Sequence, residues 1–150
     1  MAGLFTIDSS VFVAARRTQE DMSAVSRDLI QRVRKAGIPL VEPTILPVEI
    51  AAALTRTGEE PTWAAEYAER VMAFPHLTLW PLDEYAVRRA VKTAVQCRLR
   101  GADALYVAAA AQYGARLVTL DTEQLERAPA DVRACQPEAA SELLRNEETP

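Results

Sequence analysis

The sequence contains only two cysteines and one histidine in 150 residues. Cys97 and Cys135 have no Cys-x-x-Cys spacing and no histidine nearby, which argues against a disulfide scaffold and against a zinc site. We therefore expect both thiols to be small core side chains in a reducing compartment, the cytoplasm. His76 is far in sequence from the acidic residues described below, so acid–base chemistry based on histidine is not expected.

Long apolar runs are also missing. None approaches the roughly 20 residues that a membrane-spanning helix needs. The N-terminal sequence MAGLFTIDSS has no basic region, so we do not expect a signal peptide. With 49% hydrophobic and 25% charged residues, the composition is ordinary for a globular protein, and the length fits one domain.

The chain has no excess of positive charge, since its formal net charge is −4. The basic residues are nevertheless clustered, between positions 16 and 35 and between 88 and 100, and almost all of them are arginines, whose planar guanidinium fits phosphate. These arginines either lie on solvent-exposed helix faces or contact a nucleic-acid backbone. The candidates for RNA contact are Arg16, Arg17, Arg88, Arg98 and Arg100.

Short apolar runs alternate with helical patterns along the chain. The predicted strands are GLFTID (3–8), IPLVEP (38–43), LTLWPL (77–82), RLVTL (116–120) and, more weakly, DVRACQ (131–136). Helical spacing is clearest in the amphipathic segment 83–99 and in the segment 102–113, which is apolar all round. This alternation predicts an α/β fold: one domain with a mostly parallel central sheet of about five strands, flanked by helices.

Four acidic residues lie where these elements begin or end. Asp8 and Asp121 end the first and fourth predicted strands, Asp103 opens the apolar helix, and Glu49 lies early in the helix after the second strand. Ligands of open α/β sheets bind outside the carboxyl ends of the strands, so this fold class allows the four acids to meet at one edge. Each acid taken alone could instead be a helix cap or a first-turn acid.

Converging carboxylates would require a cation. Two like charges 4 Å apart repel by about 4 kcal/mol at an effective dielectric of about 20. Ligands that are all oxygen favour Mg²⁺ or Mn²⁺ over zinc, and such an ion supports hydrolysis of a phosphodiester. We expect the hydroxyls of Ser9 and Thr119 to support this site, the alternatives being helix capping for Ser9 and an ordinary strand end for Thr119.

Four segments, in this order, resemble the PIN-domain ribonucleases and, more narrowly, the VapC toxins of toxin–antitoxin pairs: TIDSSVFVA, PVEIAAAL, RGADALYVAAA and LVTLDTEQL. The resemblance covers roughly residues 4–135. Its most specific parts are the acid after the first strand, the GADAL segment and the later TxD. It implies a PIN domain at 1–136 followed by an acidic C-terminal tail at 137–150, which we expect to be disordered.

The resemblance also implies a function and a site. The acidic set of the family falls on Asp8, Glu49, Asp103 and Asp121, of which the first and third commonly bind Mg²⁺ directly. The implied activity is that of an endoribonuclease that uses Mg²⁺, for which Mn²⁺ can substitute. The implied partners are an RNA substrate, a second copy of the chain in a homodimer, and a cognate VapB-like antitoxin whose C-terminal segment covers the active-site groove.

Other functions were weighed against this one. A response-regulator receiver needs a phosphoacceptor, for which Asp83 is available, and a lysine near the last strand, where none stands. A haloacid-dehalogenase-like phosphatase needs Asp-x-Asp after the first strand, and the chain reads Asp8-Ser9-Ser10. A PIN nuclease of RNA maturation or decay stays open, as does a PIN-like module that binds RNA or protein without catalysis, although the complete set of acids argues against the latter.

Overall fold

Five short strands form the centre of the molecule, in a computed structural model that describes residues 3–19 and 21–149. They are β1 (Phe5–Ile7), β2 (Leu40–Pro43), β3 (Leu77–Trp80), β4 (Arg116–Val118) and β5 (Ala134–Cys135). The two strands β1 and β2 are wholly buried, whereas β3 and β5 are partly exposed. Each strand lies within its predicted segment and is shorter than that segment.

The strands pair in the order β3-β2-β1-β4-β5, and every pairing is parallel. The prediction of an α/β domain with a parallel five-stranded sheet is therefore confirmed. The chain builds the sheet outward from β1 in one direction through β2 and β3, and then in the other through β4 and β5. The direction changes between β1 and β4, so the crevice outside their carboxyl ends is where this fold class binds its ligands.

Helices connect and cover these strands. They are α1 (Ser9–Arg16), α2 (Ser23–Ala36), α3 (Leu46–Arg56), α4 (Pro61–Met72), α5 (Glu84–Cys97), α6 (Gly101–Tyr113), α7 (Thr122–Arg127) and α8 (Pro137–Glu148). Helix α2 is capped by Gly37, which takes the left-handed conformation with φ of 63°. Within the described ranges, no helix has the length and apolar character that crossing a membrane requires.

Helix α6 is the most deeply buried of these helices. Its side chains at Ala104, Tyr106, Val107, Ala108, Ala109 and Ala110 are all 0–1% exposed. The helix packs on β1, β2 and β4, with α5 beside it. Burial on nearly every side explains why its sequence is apolar all round, since a helix with one exposed face would carry a polar stripe.

The acidic tail is ordered, and the expectation of a disordered end is wrong. Residues 137–148 form α8, which packs on α2 and buries Ala140 and Leu144. Two ion pairs join the same helices: Arg145 contacts Asp28 at 3.3 Å, and Arg32 contacts Glu148 at 3.1 Å. The acids of the tail therefore lie on the outer face of a packed helix. The division of the chain at residue 136 stays a prediction.

We predict that Leu144→Ala lowers the free energy of unfolding by about 2–4 kcal/mol, because it leaves a cavity between α8 and α2. The matched control is Leu143→Ala: Leu143 is 38% exposed, so the same deletion should cost far less. Urea denaturation of the wild type and both variants measures the difference. Equal costs for the two variants would show that α8 does not pack as described.

Candidate active site

The four predicted acids lie around the carboxyl ends of β1 and β4. Asp8 directly follows β1 and caps α1, and Asp121 caps α7 three residues after β4. Asp103 lies in the first turn of α6, and Glu49 in the first turn of α3. Asp103 has repulsive electrostatic interactions with each of the other three, so all three lie within electrostatic range of Asp103.

Asp8 is the most enclosed of the four, at 4% exposure. Its carboxylate accepts hydrogen bonds from the backbone N–H of Ser10 at 3.3 Å and from the hydroxyl of Thr119 at 3.1 Å. Burial disfavours the charged form and raises the pKa of Asp8, and these donors partly offset that effect. The side chain is thus held in one orientation at the end of the central strand.

Thr119 connects two of the acids. Its Oγ1 donates to Asp8 Oδ2 and accepts from the backbone N–H of Asp121 at 3.0 Å. The threonine side chain is completely buried. The structure therefore places Thr119 between the ends of β1 and β4, where a hydroxyl can serve as donor and acceptor at once.

Glu49 receives a short hydrogen bond of 2.6 Å from the phenol of Tyr106. Partial burial raises the pKa of Glu49, and Asp8 adds to the rise. Ser9, the predicted supporting residue, has the opposite effect and lowers the pKa of this carboxyl. The neighbouring Ser10 accepts from the backbone N–H of Leu120 at 3.2 Å, which ties the start of α1 to the end of β4.

Asp103 has the most informative electrostatic environment. Burial, followed by the charges of Asp121, Asp8 and Glu49, raises its pKa to about 6. A hydrogen bond of 3.0 Å from the side-chain amide of Gln124 opposes that rise. A half-buried acid whose neighbours all carry the same sign is typical of functional sites.

Three residues at this edge were missed by the sequence reasoning: Glu42, Tyr106 and Gln124. Glu42 is fully buried in β2, its Oε1 accepts from the backbone N–H of Ile7 at 2.7 Å, and its Oε2 has no partner. Burial raises the pKa of Glu42 well above its usual range. A charged residue inside the apolar run IPLVEP was the available signal.

The predicted RNA-contacting arginines are not all beside the acids. Arg98 and Arg100 are exposed in the segment that leads from α5 into α6, close in sequence to Asp103. By contrast, the guanidinium of Arg16 lies 4.8 Å from the ring centre of Trp63. Arg88 pairs with Glu84 at 2.6 Å, and Arg17 follows the end of α1, the end opposite Asp8.

Asp83 also has a structural role that removes the receiver alternative. It caps α5, its Oδ1 accepting from the backbone N–H of Ala86 at 2.9 Å. Asp83 follows β3, which is an outer strand of the sheet and is separated from β1 by β2. A phosphoacceptor would be expected at the centre of the crevice.

The residues present fit a hard divalent cation. Among the residues that the structure describes, no three Asp, Glu, His or Cys side chains are grouped tightly enough to enclose a metal by themselves. Mg²⁺ does not require that, because it keeps several waters and is usually held by one or two carboxylates. Asp8 and Asp103 offer such carboxylates, and the repulsion around Asp103 is what a cation would relieve.

We predict that Asp103→Asn stabilises the metal-free protein at pH 7.5 and not at pH 4. The folded-state pKa of about 6 lies above the ordinary value of 3.8. The folded state therefore holds the proton more tightly, and its stability falls as pH rises from about 4 through 6. Asparagine removes that loss. We expect the melting temperature in EDTA to rise by about 2–4 °C, the shift for 1 kcal/mol in a chain of this size.

The control for this measurement is Asp131→Asn, the same chemical change at an exposed residue. Asp131 precedes β5 and therefore lies at the amino ends of the parallel strands, away from the four acids. This variant should leave the difference between pH 4 and pH 7.5 unchanged. A destabilised Asp103→Asn protein at pH 7.5 would show that repulsion at this site is not significant.

Comparison with known proteins gives the family. The PIN domain family matches residues 5–130. No curated protein sequence is significantly similar to the chain. The solved structure of PAE2754 from Pyrobaculum aerophilum is 20% identical, with a TM-score of 0.71 over 97% of this chain and 92% of that one.

Two further solved structures have the same fold. VapC20 from Mycobacterium tuberculosis, described as a toxin that cleaves the sarcin-ricin loop, is 15% identical, with a TM-score of 0.68 over 86% of this chain and 98% of that one. VapBC2 from Rickettsia felis, bound to a DNA fragment from its promoter, is 12% identical, with a TM-score of 0.66 over 89% and 98%. At such identities structural likeness shows the fold alone, and the sequence match shows the family. The chain belongs to the PIN domain family.

Proposed function

We propose that this protein is an endoribonuclease that hydrolyses RNA phosphodiester bonds with Mg²⁺, for which Mn²⁺ can substitute. The observation that supports this most strongly is Asp103, whose pKa is raised to about 6 among three other acids at the sheet crevice. A divalent cation bound there would neutralise phosphate charge and make a water more acidic. The absence of histidine from the contacts of the described acids favours this chemistry over acid–base catalysis by imidazole.

Each acid has a proposed role that follows from its contacts. Asp8 and Asp103 would hold the cation, since they belong to different elements and are near enough for their charges to repel. Glu49 and Asp121 would complete the acidic set. Tyr106 fixes Glu49 through its 2.6 Å hydrogen bond, and Thr119 fixes Asp8, so the carboxylates do not need to reorganise when substrate binds.

Binding of the RNA backbone is proposed for the exposed arginines nearest the site. Arg98 and Arg100 precede Asp103 by five and three residues and lie just before α6. Their guanidinium groups would hold phosphates next to the acids, which repel an RNA backbone. Arg16, Arg17 and Arg88 would contact the more distant backbone.

We further propose that the protein is the toxin of a VapBC-type pair, a cytoplasmic homodimer held inactive by a VapB-like antitoxin. The support is the family together with two solved structures of the same fold, the toxin VapC20 and VapBC2 bound to a fragment of its promoter DNA. A PIN nuclease of RNA maturation or decay would share the same site chemistry. Toxicity on expression separates the two.

We predict that the purified protein makes discrete cuts in total cellular RNA with Mg²⁺ or Mn²⁺ and none in EDTA. Asp8→Asn and Asp103→Asn would each remove a direct metal ligand. We therefore expect each to lower the rate of RNA cleavage by more than the roughly 10–100-fold that is lost when an outer-shell partner is removed. Mapping the new RNA ends by sequencing would give the substrate. Asp131→Asn, which should cut like the wild type, is the control.

Retained Mg²⁺-dependent cleavage by folded Asp103→Asn protein would contradict the assignment of this residue. No cleavage by folded wild-type protein under any metal would favour the PIN-like binding module without catalysis.

We also predict that induced expression in a bacterial host arrests growth, and that Asp103→Asn abolishes the arrest at equal protein level. Colony counts after induction, with immunoblots for protein amount, test this. Normal growth of cells that contain active wild-type nuclease would favour a role in RNA maturation or decay.

A further inference from the structure

Gln124 contacts three of the four acids. Its side-chain Nε2 donates to Asp103 Oδ1 at 3.0 Å, and the same side chain lowers the pKa of Asp8 as a nearby donor. Its backbone N–H donates to Asp121 Oδ1 at 2.9 Å. The residue is 0% exposed, in a helix of six residues that begins directly after Asp121.

The side chain supplies donors where the acids supply only acceptors. An ionised carboxylate accepts hydrogen bonds and cannot donate them, whereas a primary amide carries two N–H donors in one plane. Within the described residues, Gln124 is the one side chain that donates a hydrogen bond to Asp103 and also lowers the pKa of Asp8. These two acids come from different elements, the end of β1 and the first turn of α6, so the amide joins parts of the site that the backbone does not connect.

The other half of the amide shows that the residue is not a simple core filler. Its Oε1 is buried and has no hydrogen-bond partner. A buried carbonyl without a partner destabilises the fold, and methionine would fill nearly the same volume without that cost. The arrangement thus favours the two donors at the expense of the acceptor.

From these contacts we propose that Gln124 is a positioning residue that fixes the spacing between Asp8 and Asp103 for a divalent cation. This inference rests on the proposed function, because it assumes that the two acids bind the metal. The amide holds both carboxylates in place before the ion arrives, as outer-shell partners of metal ligands do. Gln124 itself does not touch the ion or the RNA.

The test is equilibrium binding of Mn²⁺, followed by electron paramagnetic resonance of the free ion, for the full chain and its variants. Gln124→Met removes the side-chain donors and keeps the backbone N–H to Asp121. We expect Mn²⁺ affinity to fall by about 10–100-fold. The control is Gln112→Met, the same change at the other end of α6, roughly 13 Å along the helix from Asp103, which should bind like the wild type.

Kinetics on a cleaved RNA give a second readout. At a fixed, subsaturating Mn²⁺ concentration, Gln124→Met should lower kcat and leave KM for RNA unchanged, because the arginines that hold the backbone are untouched. High Mn²⁺ should restore part of the lost rate. A residue that served only the stability of the fold would change neither metal affinity nor its rescue.

The outcomes separate this inference from the proposed function. If wild-type protein binds no Mn²⁺, the proposed metal site fails. If the wild type binds and folded Gln124→Met binds equally well, the positioning role is overturned and the metal site stands. If Gln124→Met does not fold, Gln124→Asn is the deciding variant, because it keeps the amide on a side chain that is one methylene shorter. An Mn²⁺ affinity of Gln124→Asn equal to that of the wild type would overturn the proposal.

Discussion

Mutual repulsion of carboxylates at one edge of the sheet is the constraint around which this structure is organised. Asp8, Glu49, Asp103 and Asp121 come from four different elements, and burial raises the pKa of three of them. The fold opposes the repulsion with hydrogen-bond donors: hydroxyls of Thr119 and Tyr106, the amide of Gln124, and backbone N–H groups at the starts of α1 and α7. A site held this way is arranged before any ligand binds.

Rigid apolar elements make such an arrangement possible. β1 is completely buried between β2 and β4, and α6 packs on the same strands with almost no exposed surface. Neither element can shift to move its acid away without opening the core, whose packing density resists small displacements. The packing of the core therefore holds the like-charged acids close together at the carboxyl ends of the strands.

The sequence draws attention to the acids because their positions coincide with boundaries between patterns. Asp8, Asp103 and Asp121 each stand at a change from apolar to polar, which is visible without a structure. Tyr106 and Gln124 could not be found this way. Periodicity says nothing about which side of α6 faces the crevice, since that helix is apolar all round, and α7 is too short for a periodic pattern. The sequence also did not reveal that α8 packs on the domain, because the few residues that α8 buries are interspersed with acids.

The pairing of β1 with β4 has a consequence for the order of folding. The hydrogen bond between Asp8 and Thr119 joins residues 111 positions apart, whereas Thr6 and Val41, which join β1 to β2, are 35 apart. Closing the longer loop costs more chain entropy, and long-range contacts slow folding. Asp103 and Asp121 join Asp8 and Glu49 only when α6 and β4 dock beside β1. The repulsion that involves Asp103 and Asp121 therefore opposes that single late step, while the β1–β2–β3 half of the sheet assembles against the repulsion between Asp8 and Glu49 alone.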